Sequence, residues 1–303
     1  VRIIEVGPRD GLQNETRIVS LESKLTYIQK LLEAGIQKIE ATSFVRPDRI
    51  PQMGDASELY SRLQKEGLES QGQFPCLVPN MKGMENALSV GVREIAFFTA
   101  TSETFNQKNI NATIEESFER LAPVAKKAKE HGVKLRAYVS TVFGCPYEGE
   151  TSSDTLLQVV EKLLDLGAYE VSLGDTIGVA EPLQVQAILQ KVKKHFDAGK
   201  FALHFHDTYG LALTNITASL EEGMTSFDSS SGGLGGCPYA QGATGNVATE
   251  DVVYLMKRLG VETGIDLEKL YQASHFILDE VQKTGPSKVY QVMNQNQGKL
   301  KGF

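Results

Sequence analysis

Phe201-Ala202-Leu203-His204-Phe205-His206-Asp207-Thr208-Tyr209-Gly210 opens as a β-strand and closes as a loop. Side chains alternate across a strand, so His204 and His206 share a face, while Phe201, Ala202 and Leu203 supply the apolar run upstream. The pair therefore stands where a buried strand meets solvent. Two imidazoles so placed suit a divalent cation, although an HxH taken alone reads more readily as a pair of hydrogen-bonded structural histidines. The choice depends on which other polar residues reach the same level, and that is a question about the fold.

Working outward, short β-rich runs alternate with longer helical patterns. Strands are predicted over 3–6, 36–41, 74–78, 94–99, 134–142, 169–173, 201–205 and 226–229. Between them, Leu21, Leu25, Ile28 and Leu32 recur at helical spacing after Ser20, a capping residue. Further helices are predicted over about 54–65, 82–90, 113–130, 182–196 (with Pro182 in the first turn), 211–222 and 249–259, and around Leu156, Val160 and Leu163. Eight strands, each followed by a helix, favour an α/β fold of the (β/α)8 TIM barrel type over an open doubly wound sheet. The whole chain, 1–303, reads as one barrel domain, with about 261–303 as a C-terminal helical extension outside it.

Composition narrows the function classes. With 41% hydrophobic and 23% charged residues and no apolar run near the ~18 that span a bilayer, a soluble protein is expected. Net charge is 31 minus 38, or -7, and no basic stretch tracks a phosphate backbone, which argues against nucleic-acid and membrane partners. Cys76, Cys145 and Cys237 are odd in number and form no CxxC pair, as suits a reducing compartment. The expected location is the cytoplasm if the source is bacterial. A mitochondrial matrix stays open because the chain starts at Val1 rather than Met.

In such a barrel, catalytic groups gather at the carboxyl ends of the strands. Here strand one leads to Arg9 and Asp10, strand two carries Glu40, strand five Tyr138, strand six Asp175 before Thr176, and strand seven the histidine pair. Asp10, His204 and His206 make a donor set of two imidazoles and one carboxylate, with positions left for water or substrate. Nitrogen and oxygen donors without thiolate suit Mg²⁺ or Mn²⁺, with Zn²⁺, Co²⁺ or Fe²⁺ chemically possible. Glu40 and Asp175 are too many carboxylates for the same ion, so at least one is expected in an acid/base or supporting role, and Asp175 could equally be a turn residue. Arg9, always charged, would face the bound anion. After strand eight, six of the sixteen residues 231–246 are glycine, without a GK[ST] or GxGxxG nucleotide pattern. Cys237 in that stretch, with an ordinary thiol pKa of about 8.5, could give a proton to a carbanion, whereas Cys76 reads as core.

Five segments carry a family resemblance: Glu5-Val6-Gly7-Pro8-Arg9-Asp10-Gly11-Leu12-Gln13-Asn14-Glu15, Gly144-Cys145-Pro146-Tyr147-Glu148-Gly149, Ser172-Leu173-Gly174-Asp175-Thr176, His204-Phe205-His206-Asp207-Thr208 and Gly233-Leu234-Gly235-Gly236-Cys237-Pro238-Tyr239. From Ile3 to about Ser287 the chain resembles the 3-hydroxy-3-methylglutaryl-CoA lyases. The resemblance implies cleavage of that thioester to acetyl-CoA and acetoacetate with a divalent cation. It implies Asp10, His204, His206 and Asn246 as metal ligands, Arg9 steadying an enolate oxygen, Cys237 in proton transfer, and Glu40 and Asp175 in the active site. It also sets Gln13, Tyr138 and Ser172 beside Arg9 against the substrate and implies a homodimer. Condensing acyltransferases and aldolases of the wider superfamily, the alternative reading, share the Arg-Asp and HxH elements but not the cysteine loop. Whether Asp10 or His204 removes the hydroxyl proton stays open.

Overall fold

The computed structural model describes residues 1–236 and 245–300. Its strands are β1 (Arg2–Glu5), β2 (Thr42–Ser43), β3 (Cys76–Leu77), β4 (Glu94–Ala100), β5 (Lys134–Ser140), β6 (Glu170–Asp175), β7 (Phe201–Phe205) and β8 (Ser226–Ser229). All pair in parallel in the order β1-β8-β7-β6-β5-β4-β3-β2. A parallel bridge from Glu5 to Ile39 joins the two edges, with Glu40 N–H donating to the Glu5 carbonyl at 2.8 Å. The ring is thereby a (β/α)8 barrel.

The helices are α1 (Leu21–Glu33), α2 (Ala56–Lys65), α3 (Met81–Ser89), α4 (Glu103–Ile110), α5 (Ile114–Glu130), α6 (Ser153–Asp165), α7 (Pro182–Lys193), α8 (Ala212–Glu221), α9 (Thr249–Arg258), α10 (Leu267–Val281) and α11 (Lys288–Gln295). Their starts follow local chemistry. The Ser20 and Asn80 side chains accept from the first-turn amides of Ser23 and Gly83, and Thr113 and Glu116 form a reciprocal capping box. Among the described residues no helix is long and apolar enough to cross a membrane.

Alternation sorts the strand residues into two environments. Ala137, Val139, Val171, Leu173, Leu203, Phe205 and Phe227 face the helices and form the main core with them. The opposite face, turned into the barrel, carries Arg136, Tyr138, Ser172, His204 and Asp228, in register across β5 to β8. The main apolar core is therefore outside the barrel wall, and the interior is polar along β5 to β8, with a small apolar cluster of Leu77, Ala96 and Phe98 beside Tyr138.

Several boundaries differ from the sequence reading. The second strand, expected over 36–41, pairs continuously only at Thr42–Ser43, while Lys38 and Ile39 make single bridges to either side. The third is cut to Cys76–Leu77 between Pro75 and Pro79, which have no amide hydrogen for a ladder. Strand β5 stops at Ser140 because Thr141 turns to φ +60°. Helix α4 was not expected: Glu103–Ile110 has little apolar periodicity, and its signal is the Ser102 cap accepting from Phe105 N–H at 3.0 Å. The C-terminal extension is helical as expected. Its α10 packs on α1 and on the turn after β8, where Leu278 lies against Gly232. Gly232 sits at φ +69°, and a Cβ there would crowd the Leu278 side chain at 3.0 Å, so both conformation and contact favour glycine.

Candidate active site

Just after β1 the backbone winds through a single π-helical turn, Gly7–Gly11, in which the Val6 carbonyl accepts from the amides of Arg9, Asp10 and Gly11 at 3.2, 2.7 and 3.1 Å. Single π-turns of this kind are frequent at functional sites. It turns Arg9 and Asp10 toward the mouth. Arg9, 7% exposed, donates from Nε to Glu40 Oε2 at 2.7 Å and from Nη1 to Asp10 Oδ1 at 2.6 Å, and its guanidinium lies 5.6 Å from the Tyr138 ring centroid. Tyr138 OH also donates to Glu40 Oε2, at 3.2 Å. Burial raises the Glu40 pKa against the opposing pull of Arg9. Burial would do the same to Asp10, but Arg9, His204, His206 and the Asn246 amide bring it down to about 2.

The histidine rings are 5.2 Å apart, at the mouth end of the inward face. The strand-end chain pairs with the segment that carries Asn246: His206 and Asn246 bridge, Asp207 N–H donates to the Gly245 carbonyl at 3.0 Å, and Val247 N–H to Phe205 at 3.1 Å. Asn246 Nδ2 donates to Asp10 Oδ2 at 2.8 Å. Gly235, at φ +124°, passes so close to that amide that a Cβ would come within 2.7 Å of it. Burial and the neighbouring His204 push the His206 pKa down to about 4, so its ring is neutral at pH 7.

These residues fit a divalent cation. One atom from each of Asp10, His204 and His206 lies within 4.8 Å of the others. Two buried atoms at the same place, His206 Nδ1 and Asn246 Oδ1, have no hydrogen-bond partner among the described residues. A neutral imidazole, a carboxylate held ionised and an unpaired amide oxygen are ligands in the protonation states a metal requires.

The HMGL-like family model matches residues 1–277, the whole barrel and part of the extension. The chain belongs to the HMGL-like family. Mitochondrial hydroxymethylglutaryl-CoA lyase of Homo sapiens is 48% identical over 292 residues, 96% of this chain and 89% of that protein. Among solved structures, hydroxymethylglutaryl-CoA lyase from Pseudomonas aeruginosa superposes with a TM-score of 0.94 at 44% identity, covering 98% of both chains. An HMG-CoA lyase from Acinetobacter baumannii, in complex with coenzyme A and 3-methylmalate, gives 0.90 at 36% identity over 96% of this chain and 94% of that one.

In this HMGL-like chain a cavity of about 300 Å³ opens over the donor set, and Arg9, Asp10, Gln13, Tyr138, His204 and His206 all line it. Glu40 and Asn246 stand behind the lining, on Arg9 and Asp10, and two further expected residues make their contacts elsewhere. Ser172, expected against the substrate, is fully buried one layer deeper and donates to Asp228 Oδ2 at 2.7 Å, because alternation along β6 puts it below the level of His204. Asp175 closes the turn after β6, its two oxygens accepting from Val179 and Ala180 amides at 3.0 and 3.1 Å, with burial raising its pKa to about 6. Cys237 lies outside the described residues. Sequence reading missed Phe105 and Asn109, which reach the cavity from α4, and the charged pair Arg136 and Asp228 beneath it. Arg136 and Asp228 stand in ordinary strand runs, where the only clue was a charge at a position that alternation turns inward.

Proposed function

We propose that this chain cleaves 3-hydroxy-3-methylglutaryl-CoA to acetyl-CoA and acetoacetate, as a metal-dependent carbon-carbon lyase. The observation that carries the reading is the meeting of an Asp-His-His donor set with a buried arginine in one cavity, in a chain of the HMGL-like family. Asp10, His204, His206 and Asn246 would hold Mg²⁺ or Mn²⁺, which when bound polarises alcohol and carboxylate oxygens and makes the alcohol easier to deprotonate.

The protein's own groups account for the rest. In the reaction the C3 hydroxyl proton passes to Asp10, the C2–C3 bond breaks with its electron pair passing into the thioester as an enolate, and the C3 alkoxide becomes the ketone of acetoacetate. Arg9 has Nε and Nη1 committed to Glu40 and Asp10, so Nη2 remains to meet the developing enolate oxygen. Glu40 keeps that guanidinium from swinging, and Tyr138 covers its face. Protonation of the enolate carbon is assigned to Cys237. Gln13, at the cavity wall with a buried and unpartnered Oε1, is positioned for a substrate donor.

Stripping the purified protein with EDTA should abolish acetoacetate release from the thioester, and added Mn²⁺ or Mg²⁺ should restore it. A metal-replete protein that releases no acetoacetate but condenses acetyl-CoA with a 2-oxo acid would replace this reading with that of a synthase.

A further inference from the structure

Behind the cavity floor, His204 Nδ1 lies 3.3 Å from Asp228 Oδ2, on the neighbouring strand in direct register. Asp228 is 2% exposed, and both of its oxygens have other partners: Ser172 Oγ donates to Oδ2 and Arg136 Nη2 to Oδ1, each at 2.7 Å. Arg136 is anchored in turn by Glu170, Nε to Oε1 at 2.7 Å. Turning the Asp228 carboxylate toward the mouth would break the contact with a fully buried guanidinium. An ionised carboxylate only accepts hydrogen bonds, so the imidazole nitrogen facing it carries the hydrogen and the other nitrogen offers its lone pair.

We propose that Asp228 is a positioning residue that holds His204 in the tautomer with Nε2 free to bind the cation, and that Arg136 and Ser172 keep this carboxylate behind the ring. The proposal rests on the metal reading above. Its consequence for Asp228→Asn is specific. Arg136 has only donors to offer, so the amide oxygen must face Arg136 and the amide NH₂ must face His204. The hydrogen then moves to Nε2, and the ligand is blocked with little change of shape.

Mn²⁺ affinity, read by electron paramagnetic resonance of the free ion, tests this without turnover. Wild type should bind Mn²⁺, and Asp228→Asn should bind it roughly 10- to 100-fold more weakly, the usual loss on removing a partner that orients a ligand. Glu170→Gln, equally buried on the other side of Arg136 but out of contact with His204, should stay within about twofold of wild type. The double variant Asp228→Asn with Arg136→Met frees the amide to turn its oxygen to His204, and should recover part of the lost affinity. Wild-type affinity in Asp228→Asn, an equal loss in Glu170→Gln, or a double variant weaker than the single one would each overturn the proposal alone. A wild type that binds no Mn²⁺ would overturn the metal reading with it.

Discussion

At the N-terminal end of the barrel interior, charges meet charges: Lys38 Nζ reaches Glu94 Oε1 at 2.6 Å and also Tyr169 OH, Tyr169 OH donates to Glu94 at 2.5 Å, and Arg2 pairs with Glu170. At the mouth the residues are as polar and as buried, yet Glu40 Oε1, Gln13 Oε1, His206 Nδ1 and Asn246 Oδ1 have no hydrogen-bond partner among the described residues. In the deeper network Arg136 Nη1 is the one such atom among the described residues. An unsatisfied buried polar atom costs roughly 1–3 kcal/mol, so a scaffold has reason to close both ends alike. The mouth therefore carries a cost that a bound cation, substrate or ordered water would offset, whereas the other end closes on its own charge pairs.

Arg9→Gln should break this comparison at its most sensitive point. Losing the group aimed at the enolate oxygen is expected to lower kcat by ~10²- to 10⁴-fold, while Mn²⁺ binding stays largely intact. Steady-state kinetics beside a metal titration separate the two. Lys38→Met tests the other end, where removing one member of a buried pair should cost about 3–5 kcal/mol by denaturant unfolding and leave kcat unchanged.

Glu250 lies between these extremes, beneath the turn leading from β8 to the mouth, where its oxygens accept from Gly232 N–H at 2.9 and 3.0 Å. Burial raises its pKa to about 8. A carboxyl raised in the folded state contributes stability that is full below its unfolded value of about 4.5 and lost as pH rises through about 8. Glu250→Gln should therefore show a smaller fall in Tm than wild type between pH 6 and 9, an effect on the order of a few kcal/mol. The smallest effect is expected at the boundary of the two regions. Ser172→Ala removes one hydrogen bond to Asp228, costing about 1 kcal/mol by unfolding, and KM should not move. A large rise in KM would return Ser172 to the substrate.

Much of this was legible in the chain. The alternation of β and helical periods gave the barrel, and the rule that catalytic groups collect at strand ends gathered Arg9, Asp10, Glu40, Tyr138, His204 and His206 at one mouth. What stayed hidden depended on depth rather than direction. Ser172 and His204 both point inward, but only pairing across the strands reveals that Ser172 sits a layer lower. Asp175 read equally as acid or turn residue, and only its two backbone amide donors show which contacts it makes. Arg136 and Asp228 belong to no motif, and their pairing spans 92 residues of sequence, so it exists only in the folded barrel. Helix α4 is polar along most of its length, which left its contribution to the cavity wall unseen.

Asp10, His204 and His206 are proposed to surround one cation. Pulsed electron paramagnetic resonance of the Mn²⁺-loaded protein reads it most directly. Electron spin echo modulation should reveal two coordinated imidazole nitrogens, reduced to one in His204→Ala. A spectrum without directly bound nitrogen in active wild-type protein would contradict the account.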